Sequence, residues 1–233
     1  MNRSRRFFVV LLILIATGAS AQTPSEKIVT AADFFAKVSA HYGTVKDYEA
    51  NLTILRGAKG ESVQKGKIYV KYPVFLRIDF SSPAGQVMVS DGEKLTIAIP
   101  SPKTILVQRF GKKSSSTIAQ MAGAQALSYL QQDYLIAFES TPTYVPLEEG
   151  SKETVMKLLL KGANQAATYR QILLSVDKDF MIRRMECINN GNDKLTLDFQ
   201  NIKTNQNIPD QRFDYDGPPD AAVINNFLYE SDQ

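Results

Sequence analysis

Two side chains could do nucleophilic or acid-base chemistry: His41, the only histidine, and Cys187, the only cysteine of the 233 residues. A serine or cysteine nucleophile would need His41 as its base, and a histidine metal site would have to rest on it alone. The helical spacing of Phe34, Phe35, Val38 and Tyr42 is read with His41 on the opposite, solvated side from Phe34 and Val38. Strand alternation sets Cys187 on the other face from Ile182 and Ile188, as a half-buried, inert thiol. No phosphate-binding loop, paired-glycine fingerprint, metal-spaced cysteine set or Gly-x-Ser-x-Gly elbow occurs. The expectation is a binding protein with no catalytic residue, no metal and no cofactor.

Arg3, Arg5 and Arg6 precede an apolar run from Phe7 to Ala16 and the small-residue site Ala19-Ser20-Ala21. This is the pattern of a secretory signal peptide over 1–21, and the apolar run falls short of the roughly 20 residues that span a bilayer. Its cleavage would take the 27 basic residues to 24, against 24 acidic ones. A mature chain of zero formal charge has no composition argument for nucleic acid or anionic membrane as partner. A lone cysteine makes no internal disulfide, and Gln22 rather than a cysteine stands directly after Ala21, so the expectation is a soluble, monomeric periplasmic protein with one domain over 22–233.

The elements that would position a site read as one helix followed by strands. Thr30 can cap a helix that ends near Gly43. From Val45 the period changes to two: Tyr48, Ala50, Leu52 and Ile54 share a face, Ile68 and Val70 follow, then Leu76, Ile78 and Phe80. Val87 and Val89 lead into Asp91-Gly92, a hairpin signal, and Leu95, Ile97 and Ile99 continue beyond it. Residues 111–150 break the rhythm with two short helices, one carrying Ile118 and Met121 and the other Leu127 and Leu130. Alternation returns in four strands between Val155 and Asn201, and the tail from 209 reads as loop with a short terminal element. Roughly ten strands with one apolar face predict a strongly curved or barrel-like sheet, its cavity covered by helices.

Residues 66–83, Gly-Lys-Ile-Tyr-Val-Lys-Tyr-Pro-Val-Phe-Leu-Arg-Ile-Asp-Phe-Ser-Ser-Pro, and then Val-Met-Val-Ser-Asp-Gly-Glu-Lys-Leu-Thr-Ile-Ala-Ile-Pro carry a resemblance. In the spacing of Pro73 and Pro83, the Ser90-Asp91-Gly92 turn and the strand to Pro100, the chain resembles the periplasmic lipoprotein carrier family, LolA. The resemblance implies a mainly β chain (α+β), an incomplete antiparallel β-barrel around an apolar cavity closed by a helical lid. It implies triacylated lipoproteins as cargo, an inner-membrane lipoprotein-releasing ABC transporter as donor, and an outer-membrane acceptor as recipient. The lipid-binding cavity is expected at Ile68, Val70, Leu76, Ile78, Phe80, Val87, Val89, Leu95 and Ile97. Ile118, Met121, Leu127 and Leu130 form the lid. Tyr72 occupies the position at which the family carries a lid-latching arginine, and Arg77 sits on the opposite strand face. A lipid- or glycolipid-binding sensor on the same fold and a secreted hydrolase are the other two classes open at this point.

Overall fold

The computed structural model describes residues 30–57, 60–110, 124–163 and 167–227. The expected signal peptide over 1–21 and two of the expected lid residues, Ile118 and Met121, lie outside them. Helix α1 spans Ala31–Thr44 and is capped as expected, with the Thr30 hydroxyl accepting the Asp33 amide at 3.0 Å. Its buried stripe, Phe34, Phe35, Val38 and Tyr42, follows the 3, 4, 7 spacing of a helix face. Strands β1 (Asp47–Arg56), β2 (Ser62–Lys71), β3 (Phe75–Ser82), β4 (Ala84–Ser90), β5 (Lys94–Ile99) and β6 (Thr104–Arg109) form an antiparallel meander. After α2 (Ala124–Asp133) come β7 (Tyr134–Phe138), β8 (Val145–Pro146), β9 (Thr154–Gly162), β10 (Tyr169–Val176), β11 (Ile182–Asn189), β12 (Lys194–Thr204) and β13 (Ala222–Asn225).

All thirteen strands of the described residues join one sheet, ordered β13-β6-β5-β4-β3-β2-β1-β12-β11-β10-β9-β7, with β8 continuing along β9. Its end strands β13 and β7 do not pair with each other, so the barrel is incomplete, as expected. One strand departs from the antiparallel rule: β13 runs parallel to β6. The expected strands between Val45 and Val107 and between Val155 and Asn201 are present. Strand β7 is an addition within 111–150, where the sequence breaks the strand rhythm and shows only two short helices, and α2 is the helix that carries Leu127 and Leu130.

The concave side divides into two cores. Over β7, β9, β10 and β11, helix α1 buries Phe34, Phe35, Val38 and Tyr42 against Leu158, Leu160, Leu174 and Val176, and α2 adds Leu127. Each such fully buried side chain contributes roughly 1.5–3 kcal/mol. The Tyr42 hydroxyl accepts the Ile182 amide at 3.1 Å, which ties the end of the helix to β11. Over β1, β2 and β3 lies the second core: Tyr48, Ala50, Leu52, Ile54, Ile68, Val70, Leu76, Ile78 and Phe80.

On the convex side residues 205–214 strap the sheet, and the expected short terminal element of the tail is strand β13. The Asp47 carboxylate, 2% exposed, accepts the amides of Gln206 at 2.6 Å and Ile208 at 3.3 Å. Lys71 donates to the Ile208 carbonyl at 2.8 Å, and Arg77 donates to the carbonyls of Arg212 at 3.1 Å and Asp214 at 3.0 Å. Phe213 stacks on Phe75 with centroids 5.1 Å apart. Asp47→Ala strips two backbone donors of their acceptor in a poorly hydrated place. It is expected to lower unfolding stability by about 1–3 kcal/mol, read by urea denaturation, and to let trypsin cut after Arg212.

Candidate functional site

Strand register assembles the concave face of β1–β6 row by row. The first row runs Tyr48, Val70, Leu76, Ser90, Leu95, Gln108; the second runs Ala50, Ile68, Ile78, Met88, Ile97, Leu106. A third row, Leu52, Gly66, Phe80, continues it on the first three strands. Glycine is required in that row: a Cβ on Gly66 would stand 2.5 Å from the Asp79 carbonyl oxygen and 3.0 Å from the Phe80 Cα. At the rim, Gly92 has φ +89° in the β4–β5 turn, where the Asp91 carboxylate accepts the amides of Glu93 and Lys94 at 2.9 Å. Met88, Leu195, Leu197, Phe199 and Ile202 are half-buried and pack on the same core. The three rows hold no carboxylate, ammonium or guanidinium, so the face is neutral and, apart from Tyr48, Ser90 and Gln108, apolar. The Gln108 amide donates to the Arg109 carbonyl at 3.0 Å.

Seven of the nine expected cavity residues share this face: Ile68, Val70, Leu76, Ile78, Phe80, Leu95 and Ile97. Val87 and Val89 do not. They are paired with Asp79 and Arg77 and point to the convex side, where Val89 is buried with Tyr69, Ile208 and Phe213 of the strap and Val87 packs against them. The run Val87-Met88-Val89 is apolar at every position because both faces of β4 are covered, and alternation cannot choose between them. The register chooses Met88. The residues missed by sequence reasoning, Met88 and the β12 set Leu195, Leu197 and Phe199, are visible in the sequence only as alternation.

Of the expected lid, Leu127 is buried and Leu130 half-buried, both against the α1 core. Tyr72 follows β2 on the face of Ile68 and Val70 and packs against both cores, its ring centroid 6.4 Å from that of Tyr48. Burial raises its hydroxyl pKa well above the usual phenol range. That hydroxyl has no hydrogen-bond partner among the described residues. Arg77 faces the convex side as expected and clamps the strap.

The two chemistry-bearing side chains are structural in surroundings. His41 is half-buried, not solvated: seven residues are two helical turns, which returns it to the flank of Phe34, and both rings lie against Phe180, at 6.4 and 5.8 Å. Cys187 is fully buried on the same face as Ile182, because a bulge at Arg183-Arg184 resets the alternation of β11. Desolvation pushes its thiol up to about 12, so the thiolate at pH 8 is about one part in ten thousand. Native protein at pH 8 is expected to resist maleimide labelling that goes to completion in urea; rapid native labelling would contradict the burial. On the convex side Arg183 lies between Glu153 and Asp177, and Arg184 between Glu148 and Asp198, a paired network without a free charge among these groups. No described helix is long and apolar enough to cross a membrane, and the described residues hold no cluster of three metal-ligating side chains.

An open sheet with a neutral apolar face over β1–β6 and helices packed over β7 and β9–β11 has the architecture of an incomplete barrel. The family model described as outer membrane lipoprotein carrier protein LolA matches residues 54–216. The chain belongs to the LolA family. It is 29% identical over 179 residues to the outer-membrane lipoprotein carrier protein of Pseudomonas putida (strain GB-1), covering 76% of this chain and 80% of that one. The carrier protein of Pseudomonas entomophila (strain L48) is 25% identical over 222 residues, 94% of this chain and 99% of that one. The fold is also that of a conserved protein from Thermus thermophilus, with TM-score 0.53, 14% identity, and coverage of 84% of this chain and 98% of that one.

Proposed function

We propose that this chain is a soluble periplasmic carrier that receives triacylated lipoproteins from an inner-membrane lipoprotein-releasing ABC transporter and delivers them toward an outer-membrane acceptor. It works by binding and exchange rather than by turnover. The supporting observation is the neutral apolar face of β1–β6, which offers a lipid chain contact without any charge to desolvate. Long acyl chains left in water cost about 0.8 kcal/mol per methylene, tens of kcal/mol for three chains. An aqueous crossing between two membranes therefore needs a protein that covers them. Release is equally part of the task, so the cover is partial and the helical roof is the element whose position cargo biases.

The mature chain starting at Gln22, added to spheroplasts, is the test. The expected result is lipoprotein released into the medium in a complex with the carrier, its three acyl chains intact by mass spectrometry. Recovery of free lipid or glycolipid alone would replace delivery with the sensor reading, and substrate turnover would replace both with an enzyme.

A further inference from the structure

The concave face is apolar along its second and third rows and carries three hydroxyls toward one end, those of Tyr48, Tyr72 and Ser90, of which the last two stand out. Ser90 stands in the first row between Leu76 and Leu95, fully buried. Tyr72 lies two residues beyond Val70 on the same face of the chain, against Tyr48. Both hydroxyl oxygens are shielded from solvent, and neither has a hydrogen-bond partner among the described residues. Buried hydroxyls in native proteins are almost always paired, because taking one out of water without a partner is unfavourable. Two on one face, both bordering the apolar rows, therefore point to a polar group that enters that face with the ligand.

The chemistry of that group follows from the surroundings. No charged side chain stands in any of the three rows, so a phosphate or free carboxylate would meet nothing to neutralise it. A hydroxyl rotates to donate, and the neutral acceptor that long hydrocarbon chains carry is the carbonyl of an ester or amide linkage. We infer that the Tyr72 and Ser90 hydroxyls form a subsite that donates hydrogen bonds to the acyl carbonyls of the cargo. The subsite fixes the direction of the bound lipid: carbonyls at the Tyr72 and Ser90 end, tails along Ile68, Ile78, Met88 and Ile97. The inference rests on the acyl-chain reading above and deepens it.

The test compares two soluble probes on the mature chain below their aggregation concentrations: dioctanoylglycerol, which has two ester carbonyls, and its dialkyl ether counterpart of equal chain length, which has none. Each neutral hydrogen bond is a factor of about two to ten in affinity, so wild-type protein is expected to favour the ester several-fold. Ser90→Ala and Tyr72→Phe should each lower ester affinity by that factor and leave ether affinity unchanged, and the double variant should bind both probes alike. Neither single variant should melt below wild type, since each removes a buried hydroxyl that has no partner to lose. Equal wild-type binding of ester and ether, or an ester preference that survives in the double variant, overturns the subsite while leaving acyl-chain binding in place. Binding of neither probe overturns both.

Discussion

Ile78→Glu is expected to abolish acyl-chain binding. Ile78 occupies the middle of the second row, 6% exposed, with Ile68 and Met88 as its cross-strand neighbours. A carboxylate there is either ionised, with the desolvation cost of several kcal/mol, or protonated, with its affinity for water still opposing an incoming methylene chain. Since 1.4 kcal/mol is a tenfold change, binding of a fluorescent acyl probe should fall by about a hundredfold or more. Circular dichroism must report a folded protein for the comparison to count. Met88→Glu supplies the same charge at a half-buried position of the same row, where the fold tolerates it more easily. If both variants fold and bind the probe like wild type, the apolar rows are core alone and the lipid binds elsewhere.

Phe35→Ala is expected to cause the largest loss of stability of any single truncation considered. The ring is fully buried at the centre of the α1 stripe, where the helix meets the sheet. Phenylalanine-to-alanine changes in cores cost about 3–5 kcal/mol, part lost transfer energy and part cavity. For a domain of this size each kcal/mol moves the melting midpoint by about 2–4 °C, so a drop of roughly 6–20 °C should appear in a thermal melt. His41→Ala, one turn from the helix end and half-buried beside the rings of Tyr42 and Phe180, should lose far less. A Phe35→Ala protein that melts like wild type would mean that α1 is not anchored by this stripe.

Much of this architecture is legible in local physics alone. Thr30 announces the helix by its side-chain oxygen, the two-residue period from Val45 onward announces strands, and Asp91-Gly92 announces the turn between β4 and β5. The apolar residues of β2 and β3 fall on the expected face because their outer neighbours, Lys67, Arg77 and Asp79, are charged and leave alternation unambiguous. Val87 and Val89 fall on the other one because a distant segment, the strap with Ile208 and Phe213, covers the convex side and makes an apolar residue favourable there too. Cys187 is displaced from its expected face by one bulge, which shifts every later residue of a strand to the other side. Strand β7 is hidden for a different reason: Tyr134-Leu135-Ile136-Ala137-Phe138 is apolar at every position, so it shows no alternation, and it continues directly from α2. The unpartnered hydroxyls of Tyr72 and Ser90 have no sequence signature, since their partners depend on what the fold brings beside them.

The most direct test of the account is to place a photoreactive benzophenone side chain at position 88 or at position 87 and irradiate the carrier while it holds lipoprotein released from spheroplasts. The two positions are adjacent in sequence and on opposite faces of β4. The account predicts lipoprotein adducts at 88 and none at 87. Adducts at 87 instead, or at neither position in a carrier that demonstrably holds its cargo, would contradict it.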